Sequence, residues 1–269
     1  MPRIALGLEY DGSAFSGWQS QAHARGVQSV VEAALSEVAD QPVSVTAAGR
    51  TDAGVHAAMQ VVHFDTTAVR SERGWVLGAC TNLPPQVSVL WSREVPEGFH
   101  ARYSAMARRY RYLILNRTAR PALAAARVSW VREPLDAALM HAGAQHLVGE
   151  HDFSSFRAAE CQARTAMRNV HEISVARRRD LVILDICANA FLHHMVRNIA
   201  GVLIAIGTGE QPTSWAADVL AARDRTQGGV TAAASGLYLS GVRYAAALGL
   251  PSEPPDLIAA ACPVGADQV

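Results

Sequence analysis

Lysine is absent from this chain of 269 residues: all 24 of its Lys and Arg positions are arginine. An amine nucleophile is therefore missing, which excludes Schiff-base aldol chemistry and pyridoxal phosphate enzymes. No P-loop lysine is present to reach a nucleotide's phosphates. Long apolar runs are lacking too. The longest candidate, Ile199 to Gly207, is far short of the roughly 20 residues of a membrane span. Met1-Pro2-Arg3 runs straight into a strand-like segment with no signal-peptide core, so a cytoplasmic location and no membrane contact are expected. Cysteine is sparse: Cys80, Cys161, Cys187 and Cys262 form no CxxC, and a reduced state is expected rather than a disulfide framework.

What remains is the composition of a packed protein, 50% hydrophobic and 18% charged. At about 150 residues per domain, the length suits one large domain or two modest ones. The 24 acids balance the 24 arginines, yet they are unevenly spread. No acid lies between Glu97 and Glu133, while Arg102, Arg108, Arg109, Arg111, Arg117, Arg120, Arg127 and Arg132 do. That stretch predicts one strongly positive face in a neutral protein.

The hydrophobic pattern runs strand Arg3–Tyr10, a turn at Asp11-Gly12-Ser13, then a helix whose stripe is Val27, Val30, Val31, Ala34, Leu35 and Val38, closed by Pro42. Strands at 43–49 and 59–64, a helix at 71–81 and a strand at 87–95 complete a βαββαβ order. The order begins again with a strand at 108–116, a helix at 135–148, and strands at 171–177 and 181–188. A long helix at 191–206 and a last strand at 236–244 follow. The expectation is an α+β fold of two ferredoxin-like (split βαβ) halves, with antiparallel sheets flanking a central cleft. The halves are placed at 1–106, carrying the loop discussed next, and 107–247. A poorly ordered tail is expected at 248–269.

Between the second and third strands lies Ala48-Gly49-Arg50-Thr51-Asp52-Ala53-Gly54-Val55-His56. Asp and Gly make ordinary turns, and that account suffices for the residue types alone. The alternative is a strand-end loop that holds Asp52 out, with Arg50 keeping its carboxylate ionised for work as nucleophile or base. His193 and His194 invite a metal reading. Adjacent residues on a helix point about 100° apart, however, and no carboxylate or cysteine sits at ligand spacing, so no metal is expected.

The nine-residue string GRTDAGVHA at 49–57 resembles the signature of the tRNA pseudouridine synthases that modify the anticodon stem-loop. So do Leu8-Glu9-Tyr10-Asp11-Gly12, Gly17-Trp18-Gln19, Phe99-His100-Ala101-Arg102, Ala107 to Tyr112, Asp152 to Arg157 and Phe191 to Asn198, in order. The resemblance runs from about residue 3 to 244. It implies an isomerase that breaks the N1–C1′ bond of a uridine at position 38, 39 or 40, turns the uracil and joins C5 to C1′, with no cofactor or metal. A stacked uridine must first be flipped out. Asp52 then matches the catalytic aspartate, acting on uracil C6 or ribose C1′ as a nucleophile or at C2′ as a base. Tyr110 matches the tyrosine that stacks on the uracil, and Arg197 the arginine that pairs with the aspartate. Leu237 resembles an apolar contact in the uracil pocket. Arg50, Arg108, Arg109 and Arg111 are assigned to the substrate, the last three as phosphate contacts. The resemblance also implies a homodimer holding the tRNA anticodon stem-loop. Missing lysines and zero net charge imply weaker, more salt-sensitive binding. The competing function is a non-catalytic RNA-binding protein on the same fold. The intact set Asp52, Tyr110 and Arg197 argues against it, since a binding module needs no reactive carboxylate.

Overall fold

A computed structural model describes residues 1–20 and 24–252. In chain order the elements are β1 (Arg3–Tyr10), α1 (Val27–Ala39), β2 (Thr46–Ala47), β3 (His56–Asp65), α2 (Glu72–Asn82), β4 (Val87–Val95), β5 (Ala107–Asn116), β6 (Ser129–Val131), α3 (Ala137–Gln145), β7 (Gly149–Asp152), β8 (Met167–Arg178), β9 (Leu181–Ala188), α4 (Met195–Gly207), α5 (Trp215–Ala222) and β10 (Leu237–Arg243). The chain divides into two compact units. The first holds Met1–Asp52, His56–Met106 and the residues from Leu239 on, and the second holds Ala53–Val55 and Ala107–Tyr238. The fold is α+β with mostly antiparallel strand pairing. No helix among the described residues is long and apolar enough to cross a membrane.

In the first unit β1 is the central strand, with Ile4 to Leu8 buried. It pairs antiparallel with β4 on one side and β3 on the other, and β2 lies on β3. The order β4-β1-β3-β2 is that of a split βαβ unit. The apolar stripe of α1 buries Val27, Val31, Ala34, Leu35 and Ala39. Val38 leans instead on α2, where a Cβ at Gly78 would fall 2.9 Å from it. The helix stops before Pro42, because Asp40 turns left-handed at φ 54° and its backbone N–H returns to the Ser36 carbonyl. α2 starts as expected, its Ser71 hydroxyl accepting the Gly74 N–H at 3.0 Å.

The strand expected at 43–49 shrinks to Thr46–Ala47 for a nonlocal reason. The Val43 N–H bonds the Ser36 hydroxyl at 2.9 Å and the Val45 N–H bonds the Glu32 carboxylate at 3.0 Å, so α1 side chains take the amides a neighbouring strand would have used. Conversely β3 begins at His56, because Ala57 already faces Tyr10 across the ladder.

In the second unit β5 pairs antiparallel with β9, β9 with β8 and β8 with β7, while β6 runs parallel to β5. The elements β5, α3, β8, β9 and α4 repeat the type and order of β1, α1, β2, β3 and α2. α3 is shorter than the 135–148 expected, because Asp136 caps it by accepting the Ala138 and Leu139 N–H groups at 2.8 and 3.0 Å. α4 starts at Met195 rather than 191, since His194 takes a left-handed φ of 61° that a helix cannot continue through. Along α4, Met195, Val196, Ile199, Leu203 and Ile206 are buried. Cys80, Cys161 and Cys187 are unbridged. Of the tail expected at 248–269, residues 253–269 lie outside the described residues, as does Cys262.

Candidate active site

The Arg50-Thr51-Asp52 loop is fixed through its middle residue. Thr51 is 7% exposed; its hydroxyl shares a 2.8 Å hydrogen bond with the Tyr10 phenol, and its carbonyl accepts the Trp18 N–H at 2.9 Å. Burial pushes the Tyr10 phenol up to about 12, so it stays protonated and available for that bond. One residue earlier, the Gly49 carbonyl accepts the Gln60 side-chain amide at 2.6 Å. With Thr51 clamped, its neighbours on either side point elsewhere: Arg50 is exposed and Asp52 half-buried. Gly54, at φ 76°, then turns the chain toward β3 in a conformation side-chain-bearing residues rarely adopt.

β5 sorts the second group of expected residues by face. Its pairing with β9 is unbroken from Arg108 to Leu115, so side chains alternate strictly. Arg108, Tyr110 and Tyr112 share one face, and Arg109 and Arg111 the other. Tyr110 is 9% exposed, with Phe191 edge-on at 5.0 Å. Tyr112 is fully buried; its hydroxyl donates to the Ala233 carbonyl at 2.7 Å, and burial pushes its phenol up to about 12.

On the opposite face, Arg111 meets Asp185, its directly facing residue on β9, at 3.1 Å, and Arg109 pairs with Glu172 of β8. Arg117 lies 3.9 Å from Asp180. The acid-free stretch is thus not one strongly positive face. Strand pairing brings acids from 172–185 onto three of its eight arginines, and charge counted along the chain misses this.

Arg197 stands in the first turn of α4 and is half-buried. Its Nε donates to the Ala232 carbonyl at 2.8 Å, and the Ala232 N–H returns to the Arg197 carbonyl at 3.1 Å. Its charge is felt at Tyr112, where it favours the ionised phenol. Leu237, at the start of β10, is buried. His193 and His194 precede the helix instead of lying on it, with rings 4.1 Å apart, so the 100° separation expected of them does not hold. Sequence reasoning missed Thr51's clamp, Tyr10, Tyr112's carbonyl bond and the Ala232 contact. A polar Asn198 inside a buried helix stripe was the one local signal of the last.

A profile of the family described as tRNA pseudouridine synthase matches residues 8–104 and 144–245. This chain belongs to the tRNA pseudouridine synthase family. It is 63% identical over 242 residues to the tRNA pseudouridine synthase A of Nitrosococcus oceani, covering 90% of this chain and 93% of the relative. The protein of the same name from Coxiella burnetii is 58% identical over 254 residues, covering 94% and 97%, and that of Methylococcus capsulatus 59% over 248 residues, covering 92% of each. Membership makes the chain an isomerase. Arg50, Asp52, Arg197 and Leu237 fall inside the matched segments, whereas Arg108 to Tyr110 and Arg111 fall between them.

Proposed function

We propose that this isomerase converts uridine to pseudouridine at positions 38, 39 and 40 of the tRNA anticodon stem-loop. Asp52 is the reacting carboxylate, Tyr110 the platform for the flipped uracil and Arg197 the cation that works with the carboxylate. Leu237 lines the base pocket, while Arg50 and Arg108 contact the RNA. Residues 1–106 bring the aspartate loop and 107–247 the aromatic and cationic groups. The enzyme works in the cytoplasm as a homodimer. The observation that carries this reading is the loop around Asp52: Thr51 is anchored through both its side chain and its backbone, and a partly accessible carboxylate follows it directly. A reacting group must be held still to act, and a turn serving only to reverse the chain needs no such anchor.

The test is incubation with an unmodified tRNA transcript carrying uridines at 38 to 40, in EDTA without added cofactor, followed by carbodiimide-dependent primer extension. New stops at those uridines are expected, and none with a folded Asp52→Asn that still binds tRNA. Turnover by Asp52→Asn overturns the assignment of the carboxylate, and loss of activity in EDTA overturns the metal-free reaction.

A further inference from the structure

A strap outside the regular helices and strands, residues 224–234, lies along α4, and one side chain ties several of its groups together. The Arg225 guanidinium directs a single nitrogen, Nη2, at three acceptors: the Thr231 hydroxyl at 2.9 Å, the Gly229 carbonyl at 3.0 Å and the Asn198 side-chain carbonyl at 3.1 Å. Thr231 also donates to that Asn198 oxygen at 2.7 Å, and the Asn198 amide donates to the Phe156 carbonyl at 2.8 Å. Asn198 is 2% exposed. A buried polar group on an apolar helix costs stability unless it is satisfied, and in this knot Asn198 is satisfied by Arg225, Thr231 and Phe156.

What the knot holds is the strap's next residues. Gly201 leaves room for them: a Cβ there would fall 1.9 Å from the Val230 carbonyl oxygen. Two residues beyond Val230, Ala232 makes its two-way bond with Arg197. Ala233 takes the Tyr112 hydroxyl, and a Cβ at Gly54 would lie 3.5 Å from the methyl of Ala234. The side chains of Arg197 and Tyr112, on two separate elements, thus both end on one stretch of backbone, which Arg225 bonds just upstream at Gly229 and Thr231.

We infer that Arg225 is a positioning residue of the isomerase: through Thr231 and Asn198 it seats the strap whose Ala232 carbonyl aims the Arg197 guanidinium. This rests on the role proposed above for Arg197. Arg225 itself touches no substrate, and its contribution to the rate passes through Arg197.

The test is a double-mutant cycle of Arg197→Ala and Arg225→Ala, reading single-turnover rate and tRNA Kd for each folded variant. Arg225→Ala is expected to slow the rate about 10- to 100-fold with Kd changed less than about 3-fold. In the Arg197→Ala background it is expected to slow the rate no further. A rate for Arg225→Ala equal to the parent's, or an equal loss in both backgrounds, overturns the inference. An unchanged rate for Arg197→Ala alone overturns the underlying role instead. If Arg225→Ala fails to fold, Thr231→Val, which keeps shape and removes the hydroxyl from the knot, is put through the same cycle with the same criteria.

Discussion

At the scale of single residues, the carboxylate proposed to react and its support belong to different parts of the chain. Asp52 is legible in its own neighbourhood, since a short Arg-Thr-Asp string between glycines carries its own motif. Thr51's anchors, Tyr10 and Trp18, come from β1 and the turn after it, and nothing near residue 51 announces them. Thr51→Val, nearly isosteric, removes the hydroxyl that the buried Tyr10 phenol shares. We expect a loss of about 1 to 3 kcal/mol in urea unfolding, and a fall in kcat larger than any change in KM, because the loop loses its aim rather than its RNA contacts. Arg197 behaves similarly. Its place on α4 is visible in the hydrophobic period, while the carbonyl that receives its Nε is 35 residues further along. Arg197→Ala is expected to lower kcat at least 100-fold, in the range of lost transition-state electrostatics, with tRNA affinity nearly kept in a filter-binding assay.

At the scale of elements, periodicity was sufficient where a segment is long and buried. β1, β4 and β9 begin and end where their patterns do, and α1 differs by its last turn. It failed where bonding was nonlocal or the element short. The 43–45 amides are taken by Ser36 and Glu32. β6, β7 and α5, of three, four and eight residues, are too short for a period to be recognised. Helix ends are decided by single backbone conformations, and α1 offers a test. Asp40 caps it at φ 54°, where a Cβ carries a cost that glycine escapes. Asp40→Gly is expected to be neutral to stabilising by up to about 1 kcal/mol, read as a higher urea midpoint. A lower midpoint would show that the carboxylate itself supports the turn.

At the scale of the whole molecule, charge and pH act through the fold. Because Arg109 and Arg111 answer Glu172 and Asp185, the double variant Arg109→Gln/Arg111→Gln is expected to leave the salt slope of tRNA binding unchanged, while Arg108→Ala lowers it by about one ion. His63 contributes to the acid limb of stability. Burial, with Arg3 and His100 nearby, lowers its pKa to about 4, against 6.5 for the free side chain, despite the opposing pull of Asp65. Its Nδ1 accepts the Ala101 N–H at 3.1 Å, which a protonated ring would repel. Between pH 6.5 and 4 the unfolded chain binds a proton that the folded one refuses, so stability falls as pH drops through that window and this group adds no further loss below it. The expected loss from pH 7 to 4 is on the order of 1 to 3 kcal/mol, and His63→Gln should flatten that part of a urea-midpoint series against pH. The first unit, finally, is assembled from both ends of the chain, since it takes in residues from Leu239 on. A ribosome making this protein at roughly 5 to 20 residues per second must therefore release the whole second unit before the first can be completed. The N-terminal segment waits unfinished through most of synthesis, open to chaperones and proteases, and a nonsense codon just before Leu237 would leave two incomplete units rather than one.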